Sequence, residues 1–329
     1  AFKMSVSSGS QDWAESYVVS RPHHQTEELW IYRIPIIPRL DRLWDVREER
    51  KANLTLEVQR DGVTIYKNDA FELVLYRVDR ALLRPARDRD DDTGVFGLFP
   101  VFVTPGDPTI DRFFSLTGAG TTGASAGGAE CCAREFYGLI RENGCHFLPG
   151  EMPSTLMGFD TQLVKFPSKT LRDRTGNCLD YAVLFSTLME HVGQQPRVVV
   201  LPAENHAISG WSDPVTGTRH LVDVSAAARG VPFEEALTAA EGLYDAAAPS
   251  ERIVVDIRRR RMRTPPVKPF PFTVPSDPIQ WSPLPLAAKT PNAVDGPGPE
   301  LRRGVFFGLL GLVLAGAALA YLLSGIRGG

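Results

Sequence analysis

The chain has 329 residues, enough to bury a sizeable core and to hold two domains, or one domain with appendages. Its 36 basic and 39 acidic side chains leave a formal charge of −3, which excludes a global electrostatic case for nucleic acid as the partner. The four cysteines, Cys131, Cys132, Cys145 and Cys178, are too few for a disulfide framework and lack paired C-x-x-C zinc arms, so they read as free thiols.

From Glu28 to about Val103 the pattern is strand-like. Leu54-Thr55-Leu56-Glu57-Val58 alternates, Asp61-Gly62 signals a hairpin turn, and Val63 to Tyr66 and Phe71 to Tyr76 resume the period of two. Residues 1–116 are therefore expected to form a small antiparallel β domain whose role the sequence does not disclose. His23-His24 are adjacent and point to opposite faces of a strand, which disfavours a shared metal ion. The run Asp88 to Gly94 imitates a calcium loop, but its glycine falls one place late and Phe99 stands where a bidentate Glu belongs; it reads as a solvated acidic loop. Neither metal nor cofactor is called for.

Residues 117–129 are rich in Gly, Ala, Ser and Thr and read as a linker. Residues 130–263 then alternate helix, strand and turn signals and form the catalytic candidate. Asn177 is a good N-cap, which makes Cys178 the first helical residue and puts Asp180 at the third, where it complements the helix dipole. The following residues are apolar on nearly every side, so the helix is buried, and Gly193 ends it. A thiol at a helix N-terminus is favoured as thiolate, the nucleophilic form.

After the helix, Arg197 to Leu201, Asn205 to Trp211 and Thr218 to Val224 read as three strands, with Asp213 to Gly217 as the turn between the last two. Pairing Ser212 with Gly217 sets His206 directly opposite Asp223 and turns His220 to the other face with Ser209. The expected roles are Cys178 as nucleophile, His206 as general base and acid, and Asp223 as the carboxylate that orients the imidazole. The backbone N–H of Cys178 would meet the oxyanion, and Gln162 is the candidate for a second donor.

Two stretches follow. Thr264 to Glu300 holds eleven prolines and is expected to form an extended stalk over residues 264–300. Gly304 to Ile326 is an uncharged run long enough to cross a hydrocarbon core of about 30 Å, so residues 301–329 read as a C-terminal transmembrane anchor. Gly304-x-x-x-Gly308 offers a contact for weak self-association of spans. Arg302, Arg303 and the cluster Arg258 to Arg263 precede the span and only Arg327 follows it, which puts the catalytic domain on the cytoplasmic side. The cluster itself suits anionic headgroups.

The block P-S-K-T-L-R-D-R-T-G-N-C-L-D-Y-A-V-L-F-S-T-L-M-E-H-V-G from Pro167, with N-H-A-I-S-G-W from Asn205 and H-L-V-D-V-S from His220, resembles the transglutaminase-like superfamily. The resemblance implies an α+β, papain-like fold with a central helix against an antiparallel sheet, and a Cys178, His206, Asp223 triad. It spans only Pro167 to Ser225, and Ile208 stands where many members carry an aromatic residue, so the acyl-binding groove is not carried over. The function expected is a membrane-tethered thiol hydrolase acting on protein or peptide, a cysteine peptidase. The alternatives are a glutamine-directed transglutaminase with the same triad and a non-catalytic binding module on a stalk.

Overall fold

The computed structural model describes residues 2–8, 12–21, 39–43, 46, 48–82, 95–119, 128–150, 154–156, 159–213, 217–263, 266–270 and 279–284. The architecture is mixed α+β with antiparallel sheets. The first sheet has the order β2-β1-β3-β4, from β1 (Phe2–Ser7), β2 (Tyr17–Arg21), β3 (Arg50–Arg60) and β4 (Val63–Leu75), all neighbours antiparallel. Asp61 and Gly62 link β3 to β4 with φ of 49° and 85°, the left-handed pair that matches strand twist in a tight hairpin. Trp13, Ala14, Ala52 and Leu54 form its small core, with Leu43 of a short helix α1 (Leu40–Leu43) packed alongside.

A second sheet carries the candidate site. Its order is β12-β11-β10-β13, from β10 (Pro196–Leu201), β11 (His206–Ser212), β12 (Arg219–Val222) and β13 (Ile253–Asp256), again all antiparallel. Its side chains sort by the period of two. Val198, Val200 and Ala207 share a core with Leu179, Ala182 and Val183, whereas Val199, Leu201, Ile208 and Leu221 share one with Ala240. The first three partners lie on the helix Cys178–His191 and the last on the helix Phe233–Ala246, so the sheet is sandwiched between two helices.

In chain order the longer helices are α2 (Pro108–Thr117), α3 (Gly128–Glu142), α4 (Pro167–Asp173), α5 (Cys178–His191) and α6 (Phe233–Ala246), followed by a single turn and a half, α7 (Ile257–Arg261). Tyr181, Leu184, Phe185 and Leu188 of α5 share a core with Phe136 and Ile140 of α3, Ile110 and Phe113 of α2, and Trp211 of β11. Residues 179–189 of α5 are all buried, as its apolar circumference requires. Smaller sheets complete the unit: β5 (Arg80–Leu82), β8 (Phe159–Leu163) and β7 (Ser154–Leu156) in that spatial order, and a parallel pair, β6 (His146–Phe147) with β9 (Thr175–Gly176).

Several boundaries differ from those the sequence pattern led us to expect. The last part of the expected β domain is helical. A 3-10 segment, Val95–Phe102, and α2 bury Phe99, Phe102, Ile110 and Phe113 in the cores that hold α5. Ala81 of β5 joins them, because β5 pairs with β8 rather than with the first sheet. The expected linker covers only Ala119, Gly118 and Thr117 of the described residues at one end and Gly128 and Ala129 at the other, and Gly128 already opens α3. The Pro-rich stretch is not wholly a stalk: Ile279 and Trp281 are buried, Trp281 meets the Phe113 ring edge-on at 5.1 Å, and its indole N–H donates to the Leu171 carbonyl at 2.7 Å. Residues 1–284 accordingly form one compact unit, and residues 285–329 a second that lies outside the described residues.

The expected membrane span, Gly304 to Ile326, is in that second unit. Among the described residues no helix is long and apolar enough to cross a membrane. His23-His24 and the acidic run from Asp88 to Gly94 also fall outside the described residues.

Candidate active site

The start of α5 is built by reciprocal capping. The Asn177 side chain accepts from the Asp180 N–H at 2.9 Å, and the Asp180 carboxylate accepts from the Asn177 N–H at 3.0 Å. The other Asp180 oxygen accepts from the Lys165 N–H at 2.7 Å, which ties the preceding chain to the helix. Burial pushes the Asp180 carboxyl up, and the two backbone N–H donors pull the other way. Gly176 leaves room for this: a Cβ there would stand 2.9 Å from Asp180 Cβ. The cap fixes Cys178 as the first residue of the helix, half-buried, with the Leu179 side of the helix against the sheet.

The hairpin register differs by two residues from the expected one. Trp211 pairs with His220 and Ser212 with Arg219, because Asp213 and Thr218 close the turn with a 2.9 Å backbone hydrogen bond. His206 is therefore not directly opposite Asp223. A two-residue shift preserves the side-chain faces, however, so His206 and Asp223 still fall on one face and His220 on the other. His220 stacks on Trp211, ring centroids 5.2 Å apart at 13°. Strand β12 ends at Val222, and Asp223 begins the 3-10 segment Val224–Arg229, which brings its carboxylate back toward the start of β11.

His206 Nε2 lies 3.2 Å from Asp223 Oδ2, both side chains largely buried. The N–H does not point along that line well enough to count as a hydrogen bond, so the contact is an ion pair at short range. The Cys178 thiol also acts on the imidazole and raises it. Burial favours the neutral ring, but the Asp223 carboxylate at short range and the Cys178 sulfur outweigh it and raise His206 to about 9. For Asp223, burial works upward and is overcome by His206, Ser225 and Arg229, which hold it at about 2. Ser225 donates to Oδ1 at 2.7 Å, and Arg229 Nη2 donates to Oδ2 at 2.8 Å.

The three predicted residues thus come from three places: the first turn of α5, the first residue of β11 and the residue that follows β12 and caps the 3-10 segment. Sequence analysis missed Ser225 and Arg229. The only signal for them was their place downstream of Asp223, and it becomes legible once Val224 to Arg229 is known to coil as a 3-10 turn.

No family model, curated protein or solved structure matches this chain.

A cleft of about 290 Å³ is lined by Leu148, Gly150, Gln162, Leu163, Lys165 and Asn177 among others. Cys178, His206 and Asp223 are not in its lining; Asn177, the residue before Cys178, is. Gln162 sits there half-buried on β8, paired in register with Ala81. It shares the cleft with the N-cap of α5. The charged groups around this opening are mutually satisfied. Arg77 pairs with Asp79 at 2.7 Å, and Lys165 donates to the Thr175 carbonyl at 3.0 Å and to its hydroxyl at 2.9 Å. Among the described residues no cluster of His, Cys, Asp and Glu is arranged to hold a metal ion. The remaining thiols lie elsewhere: Cys132 and Cys145 are buried, Cys131 is half-buried rather than buried with its neighbour, and burial pushes the Cys145 thiol up to about 12.

Proposed function

We propose that the chain is a thiol hydrolase of the transglutaminase-like, papain-like type, a cysteine peptidase with Cys178, His206 and Asp223 as its triad. The observation that carries the reading is the His206 ring set between a helix-N-terminal thiol and a buried carboxylate. With Nε2 turned to Asp223, Nδ1 is the ring nitrogen left for the thiol. The proton rests on the ring at Nδ1, in keeping with the raised His206, and the sulfur attacks the acyl carbon. The bond to the leaving amine breaks as the imidazolium returns the proton to that amine, which leaves a thioester on Cys178. Water, deprotonated by His206, attacks the thioester, releases the carboxylic acid and restores the thiol. Asp223 stays ionised throughout and holds the charged ring. The Cys178 N–H at the helix start, with Gln162 as second donor, faces the developing oxyanion. No cofactor takes part.

The membrane reading rests on Gly304 to Ile326 and on the arginines that precede it, and makes this a C-terminally anchored enzyme with its catalytic unit on the cytoplasmic side. Its substrate is a protein or peptide.

The test is incubation with a peptide library in the presence of hydroxylamine, followed by mass spectrometry. New carboxyl termini and hydroxamates at cleaved bonds, both absent with Cys178→Ala, are the expected result. Hydroxamates or amine adducts confined to glutamine side chains would move the assignment to a transglutaminase. A complete lack of both products would leave a non-catalytic binding module.

A further inference from the structure

Asp223 carries a second cation that a cysteine triad does not need. Its Oδ2 atom accepts from Arg229 Nη2 at 2.8 Å in good hydrogen-bond geometry, while His206 Nε2 stands 3.2 Å from the same oxygen and out of line. The carboxylate cannot turn to offer His206 its other oxygen, because Oδ1 is held by Ser225 at 2.7 Å. Arg229 is itself half-exposed, and its guanidinium lies 5.2 Å from the centroid of the Phe147 ring. Phe147 is paired in register with Gly176, two residues before the nucleophile. The arginine thus spans from the triad acid to the strand pair that leads into Cys178.

We propose that Arg229 is a positioning residue that shares the Asp223 Oδ2 atom with His206 and so limits how firmly the carboxylate holds the imidazolium. The inference rests on the triad reading above. The charged and titratable groups facing the pair are Cys178 from α5, Arg229 from the 3-10 segment and Tyr137 from α3, whose hydroxyl is pushed up by burial and by the Asp223 charge. Of these only Arg229 is a fixed cation. It draws carboxylate charge away from the ring, and a ring held less tightly is the better acid toward the leaving amine. Arginine suits the task because it stays charged while half-exposed and its planar head rests on an aromatic face.

The experiment is an NMR titration of His206 in the full chain, labelled at the histidine ring carbons and assigned by loss of its signal in His206→Gln. Arg229→Gln is expected to raise the His206 midpoint by about half a unit or more, with Arg229→Lys close to the wild type. Arg229→Met keeps the stem over Phe147 and serves equally if the Gln variant is unstable. The alkaline limb of Cys178 alkylation should move upward with the midpoint, a change that loss of packing alone would not produce. An unchanged or lowered midpoint in Arg229→Gln, beside a lowered one in Asp223→Asn, would overturn the sharing of Oδ2 and leave the triad standing. An Asp223→Asn midpoint equal to the wild type would overturn the triad reading itself, and this proposal with it.

Discussion

His206 is the residue on which the site turns, since one ring must satisfy a thiol and a carboxylate while nearly out of water. Its folded value is raised above the ordinary 6.5 to about 9. The stability it contributes is therefore complete below about pH 6.5 and is lost as the pH rises through 9. Asp223 has the opposite sign: held at about 2, it contributes fully above its ordinary 3.8 and loses that contribution as the pH falls through 2. Between about pH 4 and 6.5 both contributions are whole. The gap in urea midpoint between the wild type and His206→Gln should accordingly narrow from pH 6 to pH 9.5; a constant or widening gap would show that the charged pair does not form. Gly176 makes a second prediction at this scale. Gly176→Ala drives a methyl to 2.9 Å from Asp180 Cβ and should cost about 1–3 kcal/mol, read from chemical denaturation.

The elements differ in how far the sequence disclosed them, and the differences have physical causes. Helix α5 was legible because Asn177 and Asp180 cap it reciprocally and the residues after Cys178 are apolar all round; both are local signals. Asn177→Ala should cost about 1 kcal/mol and also loosen the Cys178 turn, so its alkylation rate should fall with its stability. The facing of His206 and Asp223 was legible for a weaker reason. The turn closes at Asp213 and Thr218, and the register moved by two, but parity survived the error. A shift of one would have put His220 in the site. Tertiary context hid the rest. Nothing local told that Phe99 and Phe113 would bury against α5, or that Val224 to Arg229 would coil so as to return Arg229 to Asp223.

At the scale of the whole molecule, the Pro-rich stretch ends the fold instead of lying wholly outside it. Trp281 packs on Phe113 and bonds to Leu171. The flanking backbone is also tied down: the Ser282 N–H donates to the Asn143 side chain at 2.8 Å and Arg174 donates to the Gln280 carbonyl at 2.6 Å. Prolines had argued against a packed element, and the described residues 266–270 and 279–284 carry neither helix nor strand; residues 279–284 are held by side chains and bonds to neighbouring backbone. Trp281→Ala should therefore cost about 3–5 kcal/mol. A chain ended after Leu284 should keep the thermal midpoint of residues 1–284 in the full chain, and one ended after Arg263 should melt several degrees lower. Equal melting of the two would return the segment to a stalk.

The proposed activity depends above all on Cys178 being a nucleophile made ready by His206. The most direct measurement is the rate at which iodoacetamide labels each cysteine at neutral pH, followed by peptide mapping. The half-buried Cys131 serves as the internal reference. Stoichiometric labelling of Cys178 is expected well ahead of Cys131, slowed at least about tenfold in His206→Ala while Cys131 is unaffected. Labelling of Cys178 no faster than Cys131, and unchanged when His206 is removed, would contradict it.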